Sequence, residues 1–463
     1  MIIKMQKPVA VALALLFSAC TQSPVLKNPS ENEWGAKVYY DWLMKCLEEV
    51  HQDMPRIVKS AEAAAKLVIQ NNVQVGYVGD PQAISEGYGR AGGLYATWIG
   101  AFGLNMPEAN KIQTEIKPGV YLYFVLDDRV KSSENPTEIG VGKFEDDAQW
   151  IRNAVQAGPD RHVIAIGRSN LLERLRKMGI KPAASLDNHA APTGGLFQDS
   201  QKRWVVPTDS VANVLLLWVW TGEFAAACSR LGKMPFFWHP GAPSEWREKI
   251  GERLDKQYRR YYRELPARIE PRTFGDSFIQ ILRSQLQALY QEELLRIKKL
   301  AGWATNAKAN GKKFYGFLHG HGTMRALTGP HVPDRTQTID YCHKGWFDFR
   351  DKTVELKPGS VVLFLGHGGM PNWGGFEKHN YPEQWRRKKV KIAWSFGYND
   401  SLEEMKKKIE TMGKMSEDEM MIDQHVPQGD AVVSVPGLEH KILPISYVMG
   451  ASILWMVVAE LLA

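Results

Sequence analysis

"PTDSVANVLLLWVWTGEF", Pro207 to Phe224, and "PISYVMGASILWMVVAEL", Pro444 to Leu461, align without a gap. Proline, valine, leucine, tryptophan and glutamate coincide in the pairs Pro207/Pro444, Val211/Val448, Leu217/Leu454, Trp218/Trp455 and Glu223/Glu460. An apolar helix that occurs twice prompts the question whether the chain before it also occurs twice. The landmarks recur in the same order. A long amphipathic helix from about Trp34 to Gln70 precedes the strand "VQVGYVGD" at Val73, and another from about Phe274 to Lys308 precedes "KKFYGFLHGHG" at Lys312. "VYLYFVLDD", Val120 to Asp128, is matched by "SVVLFLGHGG", Ser360 to Gly369. "HVIAIGRSN", His162 to Asn170, is matched by "VKIAWSFGYND", Val390 to Asp400. A short apolar strand stands before each closing helix: "RWVVPTD", Arg203 to Asp209, and "DAVVSVPG", Asp430 to Gly437.

These strands are short, apolar and rich in β-branched residues, with helices between them, which is the pattern of a parallel sheet covered on both faces. The predicted fold class is α/β: two tandem doubly wound parallel-sheet domains, each an α/β/α sandwich of flavodoxin-like type. The first is expected over residues 34–250 and the second over 274–463, joined by a linker at 251–273 that is rich in Arg, Tyr and Glu. The run Ile445 to Ala463 approaches transmembrane length. Its partner at Val211 to Phe224 is followed by about 240 residues of mixed polarity, and each run carries a glutamate near its end, so both read as buried helices.

A chain of 463 residues with 44% hydrophobic and 24% charged residues is long enough for two or three globular domains. The net charge of +7 is dispersed. Its basic runs, Arg386 to Lys389 and Lys406 to Lys408, read as solvated faces and not as an aromatic-interleaved stripe, so no nucleic-acid partner is expected. At the amino terminus Lys4 and Lys7 precede an apolar run from Val9 to Phe17 and then "FSAC". This resembles a bacterial lipoprotein signal over residues 1–20, with Cys20 lipidated and a polar tether at 21–33. Phe17 stands where such signals usually carry leucine, and Thr21, instead of aspartate, implies the periplasmic face of an outer membrane where there is one. Cys46, Cys228 and Cys342 are odd in number and lack a C-x-x-C pair, so they read as buried thiols.

Gly87, Gly89 and Gly92 have the G-x-G-x-x-G spacing of a dinucleotide loop. Such glycines act only directly between a strand and a helix N-terminus. Here the turn after the strand is Gly79-Asp80-Pro81, with Asp80 as helix N-cap and Pro81 at the first helical position, and the glycines come two turns late. No dinucleotide or other cofactor is expected.

Taken twice, this order of elements resembles tandem sugar isomerase (SIS) domains, carried by "GYVGDPQAISEGYGRAGGL", "FYGFLHGHGTMRAL" and "VIAIGRSN". The resemblance implies a sugar or phosphosugar ligand at the carboxyl ends of the strands. The implied phosphate loop of the first half is "DDRVKSSENPTE", with Ser132 and Ser133 as donors; its counterpart "GHGGMPNWGG" has no serine or threonine, leaving His367 as a donor. Implied ligand contacts are Asp80, Arg168, Ser169, Asn170, His321 and Thr323. Isomerases of the family use a glutamate base, often with a histidine, for which Glu86 and His189 are the candidates. Glu223 and Glu460 are weighed as bases too, against carboxylates satisfied by backbone or arginine. His319, His321 and His367 at adjacent strand ends invite a zinc reading, but polar pocket lining is the reading carried, with no metal site. The expected function is an exported, lipid-anchored sugar or phosphosugar binding protein that meets the membrane only through its lipid. A phosphosugar isomerase or lyase, a structural envelope component with vestigial pockets, and a homo-oligomer stay open.

Overall fold

The leading helical segment, continuous by sequence, is two helices, α1 (Gly35–Gln52) and α2 (Met54–Asn71). They break at Asp53 because Pro55, in the first turn of α2, has no N–H to continue the ladder. In this computed structural model the described residues are 35–87, 92–94, 97–99, 116–127, 144–199, 202–237, 261–262, 265–318, 340–341, 356–366, 381–397, 401–411 and 413–463. The chain continues through β1 (Gln74–Gly79), α3 (Pro81–Gly87), β2 (Thr97–Ile99), β3 (Gly119–Phe124), α4 (Phe144–Gln156), β4 (Arg161–Gly167), α5 (Ser169–Lys177) and β5 (Ala184–Asp187). A hairpin, β6 (Gly195–Gln198) and β7 (Trp204–Pro207), leads into the closing helix α6 (Asp209–Arg230). The second half runs α7 (Thr273–Ala309), β8 (Phe314–Leu318), β9 (Asp340–Tyr341), β10 (Val361–Gly366), α8 (Tyr381–Arg387), β11 (Lys391–Phe396), α9 (Leu402–Glu410) and β12 (Glu419–Met421). The hairpin β13 (Ala431–Ser434) and β14 (Lys441–Pro444) then precedes α10 (Ser446–Leu462).

Among the described residues the strands form two five-stranded sheets, β2-β1-β3-β4-β5 and β9-β8-β10-β11-β12, parallel throughout. The two orders are the same. Val75 sits opposite Val120 and Phe314 opposite Val361, so β1 and β8 hold equivalent places, and Trp218 and Trp455 both lie on closing helices. One detail differs from the sequence reading. "DAVVSVPG" forms β13, the first arm of its hairpin, and the counterpart of "RWVVP" is β14; β13 is the more apolar arm, whereas β14 begins at exposed Lys441.

Each sheet is covered on both faces. Tyr121, Tyr123 and Val163 pack outward under Phe144, Ile151 and Leu171, as Phe364 and Trp394 do with Trp385, Met405 and Ile409. The inner faces share one apolar core, built on α1, α2, α6, α7 and α10, with Trp218, Trp220 and Trp455 fully buried. Among the described residues α6 is long and apolar enough to cross a membrane, and its apolar window is wholly buried in this core.

The halves are interlocked through the duplicated glutamates. Glu223, near the end of α6, accepts the N–H groups of Arg272 (2.8 Å) and Gly275 (2.9 Å) at the start of α7. Glu460, near the end of α10, accepts the Ala36 N–H (3.0 Å) at the start of α1. Each closing helix therefore caps the leading helix of the other half, where first-turn N–H groups have no intrahelical acceptor. Gly35 is required there, because a Cβ would sit 2.1 Å from the Ala459 carbonyl oxygen. Gly92, the last glycine of the G-x-G-x-x-G run, is a junction of the same kind. At φ +79° its carbonyl accepts the Leu443 N–H (3.0 Å) from β14, and a Cβ would lie 2.6 Å from that of Ala431.

Candidate functional site

A parallel sheet of order 2-1-3-4-5 has its topological switch point between β1 and β3, and ligands of such folds bind outside the carboxyl ends of the strands there. Asp80 follows β1 and Asp127 lies just beyond β3. Asp80 is fully buried, and its Oδ1 accepts the Gln82 N–H (2.9 Å), capping α3 behind Pro81 as the sequence predicts. Its Oδ2 accepts from Asn213 Nδ2 (2.9 Å), and Asn213 Oδ1 accepts from Asn188 Nδ2 (2.8 Å). The network thus ties β1 to α6 and to the turn after β5.

Arg168, at the end of β4, is the buried cation of this cluster. Nη1 donates to the Pro192 carbonyl (2.6 Å), Nη2 donates to Asp127 (3.0 Å), and Nε is 2.9 Å from Asp209 Oδ1. Burial pushes the Asp209 carboxyl up to about 7, Arg168 pulls it down, and the charges of Asp80 and Asp127 push it further up. Asp127 and Asp209 thus share one guanidinium, with Asp80 close enough for its charge to act on Asp209. Asp127, with 38% of its side chain exposed, is the member that a ligand can reach directly.

The neighbouring strand ends carry the remaining described candidates. The Ser169 hydroxyl bonds Asp187, and Asn170 Nδ2 donates to the same Pro192 carbonyl as Arg168 (3.2 Å). His189 sits at φ +56°; its N–H donates to Asp187 (2.9 Å), and its Nε2 lies 3.1 Å from Asp53 Oδ2. Its Nδ1 is 3.8 Å from Glu49. Asp80, Arg168, Ser169, Asn170 and His189 therefore line one end of the first sheet. Glu86, buried on α3, shares a neighbour with Asp80: Tyr447 of α10 in the second half, its hydroxyl held well above its usual range by burial and by Asp80, Glu86 and Tyr39. Glu223 and Glu460 cap helices, the backbone-satisfied alternative weighed for them. Ser132, Ser133, His319, His321, Thr323, His367 and Cys20 lie outside the described residues.

Two groups were missed by the sequence reading. Asp209 and Asn213 are polar residues in the first turns of an otherwise apolar closing helix, and that contrast was the available signal. The second is a duplicated turn, "LDNHA" at Leu186 to Ala190 and "IDQHV" at Ile422 to Val426. In both, the histidine is left-handed (His189 φ +56°, His425 φ +52°) and its N–H donates to the aspartate two residues earlier (2.9 and 2.7 Å). A carboxylate of the leading helical segment faces each turn: Asp53 at the α1–α2 break in the first half, and in the second Glu293 of α7, whose carboxyl accepts the Asp423 N–H and is pushed up to about 7 by burial.

No family model and no curated protein sequence matches the chain. Solved structures match over most of its length at low identity. A protein from Salmonella typhimurium LT2 described as sugar binding is 9% identical with a TM-score of 0.47, covering 92% of this chain and 99% of that one. One from Silicibacter pomeroyi DSS-3 described as a phosphosugar isomerase is 11% identical with a TM-score of 0.37, covering 92% and 96%. The C-terminal domain of glucosamine-fructose-6-phosphate aminotransferase from Francisella tularensis is 8% identical with a TM-score of 0.36, covering 94% and 96%. The α/β fold class itself rests on the strand order and register of the chain.

Proposed function

We propose that this chain is an exported, lipid-anchored sugar-binding protein whose ligand sits at the switch point of the first sheet and is neutral and rich in hydroxyls. The observation that carries the reading is the charge of the described groups there: Asp80, Asp127 and Asp209 face one buried cation, Arg168, with the half-exposed Arg174 3.9 Å from Asp127 at the rim. Carboxylates accept from sugar hydroxyls, whereas a phosphate would meet the charges of Asp80 and Asp127 with Arg168 and Arg174 already engaged. Calorimetric titration with neutral hexoses and hexosamines and with a hexose 6-phosphate tests it. A neutral sugar should bind, and Asp127→Ala should weaken it by about tenfold, the loss of one hydrogen bond to a charged group. Tighter binding of the phosphorylated sugar than of its neutral parent would overturn the reading in favour of a phosphosugar isomerase or lyase.

Export is a separate limb of the proposal, supported by the layout of Lys4, Lys7, Val9 to Phe17 and "FSAC". Cys20→Ala should move the protein from the membrane fraction to the soluble one under a high-salt wash. Retention of the variant with the membranes under high-salt wash would remove the lipid anchor from the proposal.

A further inference from the structure

The ends of the second sheet opposite the strand carboxyl termini carry a basic face assembled from three separate segments. Val361 N–H donates to the Lys313 carbonyl (3.0 Å), Gly359 N–H to Lys389 (3.3 Å), Ser360 N–H to Lys357 (3.0 Å) and Lys391 N–H to Ser360 (3.0 Å). These bonds gather Lys313, Lys357, Lys388, Lys389 and Lys391 at one end of β8, β10 and β11, and Lys313, Lys357, Lys388 and Lys389 are exposed. The adjacent arginines are neutralised, Arg386 by Glu419 (2.8 Å) and Arg387 by Glu383, while Glu417 and Asp418 border the face at β12.

The duplication supplies an internal comparison. At the same end of the first sheet stand Lys117, Lys181 and Arg161, and Arg161 is paired with Asp160 (2.5 Å). The fold therefore does not require a lysine cluster there.

Beside the face runs a stripe on α7. Leu295, 77% exposed, is followed at successive four-residue steps by Lys299 and Trp303. Trp303 is half-buried, with Lys299 Nζ 5.1 Å and Lys391 Nζ 5.0 Å from its ring centroid. The first described residue, Gly35, lies next to this stripe. α1 and α7 are antiparallel, with Glu48 on Arg283 (2.8 Å) and Tyr40 stacked on Tyr290 (4.2 Å), so Gly35 lies beside α7 near Leu295, about 12 Å along the helix from Trp303. Lysines around an aromatic ring and an exposed leucine, with the start of α1 beside them, are the features of a surface that rests on lipid headgroups.

We propose that this lysine face and the Leu295–Lys299–Trp303 stripe lie against an anionic phospholipid surface as a second membrane contact beside the amino-terminal lipid. The choice of membrane rests on the proposed anchor at Cys20; the surface chemistry does not. The test uses the full chain carrying Cys20→Ala, sedimented with vesicles of phosphatidylglycerol and phosphatidylcholine or of phosphatidylcholine alone. Binding should be confined to the anionic vesicles and lost at high salt. Adding Lys357→Glu, Lys388→Glu and Lys389→Glu should lower partitioning at least about tenfold, since each exposed lysine near such a surface contributes severalfold, with an unchanged unfolding midpoint. Undiminished binding of the triple variant would assign the contact to the amino-terminal segment and overturn the proposal, as would binding to dextran sulfate without binding to anionic vesicles. Failure here with lipidation of Cys20 intact would leave the anchor standing; binding here with no lipid found on Cys20 of the native protein would leave this face standing without it.

Discussion

Arg168→Met should cost about 3–5 kcal/mol of folding stability, the usual consequence of removing one partner from a buried ion cluster. The Arg168 side chain is 2% exposed and is shared by Asp127, Asp209 and the Pro192 carbonyl. Without it Asp209 remains buried near Asp80 and Asp127 with no cation in contact, and the carbonyl loses a donor. The loss should depend on pH. Burial already raises the Asp209 carboxyl from 3.8 to about 7 in the fold, with Arg168 pulling the other way. Between those values the folded state binds more protons than the unfolded state, so the Asp209 contribution to stability falls as pH rises through this window. Removing the cation extends the window upward, and the deficit of Arg168→Met should be larger near pH 8 than near pH 5. Adding Asp209→Asn should recover part of the deficit near pH 8, because the repelling charge is gone. Urea unfolding at the two pH values measures both effects. A deficit under about 1 kcal/mol near pH 8 would mean that the cluster is hydrated and that the charge argument for a neutral ligand loses its basis.

The parts of the fold legible in the sequence are those whose residues are buried on both faces. β1, β3, β4, β8, β10 and β11 are central strands of parallel sheets and therefore read as continuous apolar runs, whereas β2, β5, β9 and β12 are short edges or outer strands without such a run. Asp80, Arg168, Ser169, Asn170 and His189, candidates by the resemblance, stand one to three residues after β1, β4 and β5, and that chain position alone carries them to the crevice end of a parallel sheet. Their partners were not. Asn213 meets Asp80 across 133 residues and Asp127 meets Arg168 across 41, so no local spacing announces either pair. The basic face was missed for the same reason: Arg386 to Lys389 is a solvated run by itself, and only the sheet adds Lys313 and Lys357 to it. The matched glutamates were visible as a repeat, but their acceptor role depends on the other half's leading helix, which periodicity within one helix cannot reveal.

That role supports the second large expected effect: Glu223→Ala should destabilise the whole chain by about 3–4 kcal/mol. The carboxylate of Glu223 holds the N–H groups of Arg272 and Gly275 where α7 enters the shared core, and its own side chain is buried. Burial raises the Glu223 carboxyl while these two bonds lower it, so the cap is held against a desolvation cost. Truncation leaves two donors without that acceptor, each costing about 1–3 kcal/mol where water does not reach. Glu223→Gln keeps an acceptor oxygen of the same reach and should lose no more than about half as much, which separates loss of the cap from loss of charge. Glu460→Ala removes one bond at a partly exposed helix start, and about 1 kcal/mol is expected there. Because the two leading helices and two closing helices form one core, Glu223→Ala should shift a single urea transition and not release the second half by itself. Separate transitions for the halves, with the first half unmoved, would show that each sandwich stands alone and that the reciprocal caps only dock them. Equal losses for Glu223→Ala and Glu223→Gln would instead place the stabilisation in the carboxylate charge, and the capping account would fail.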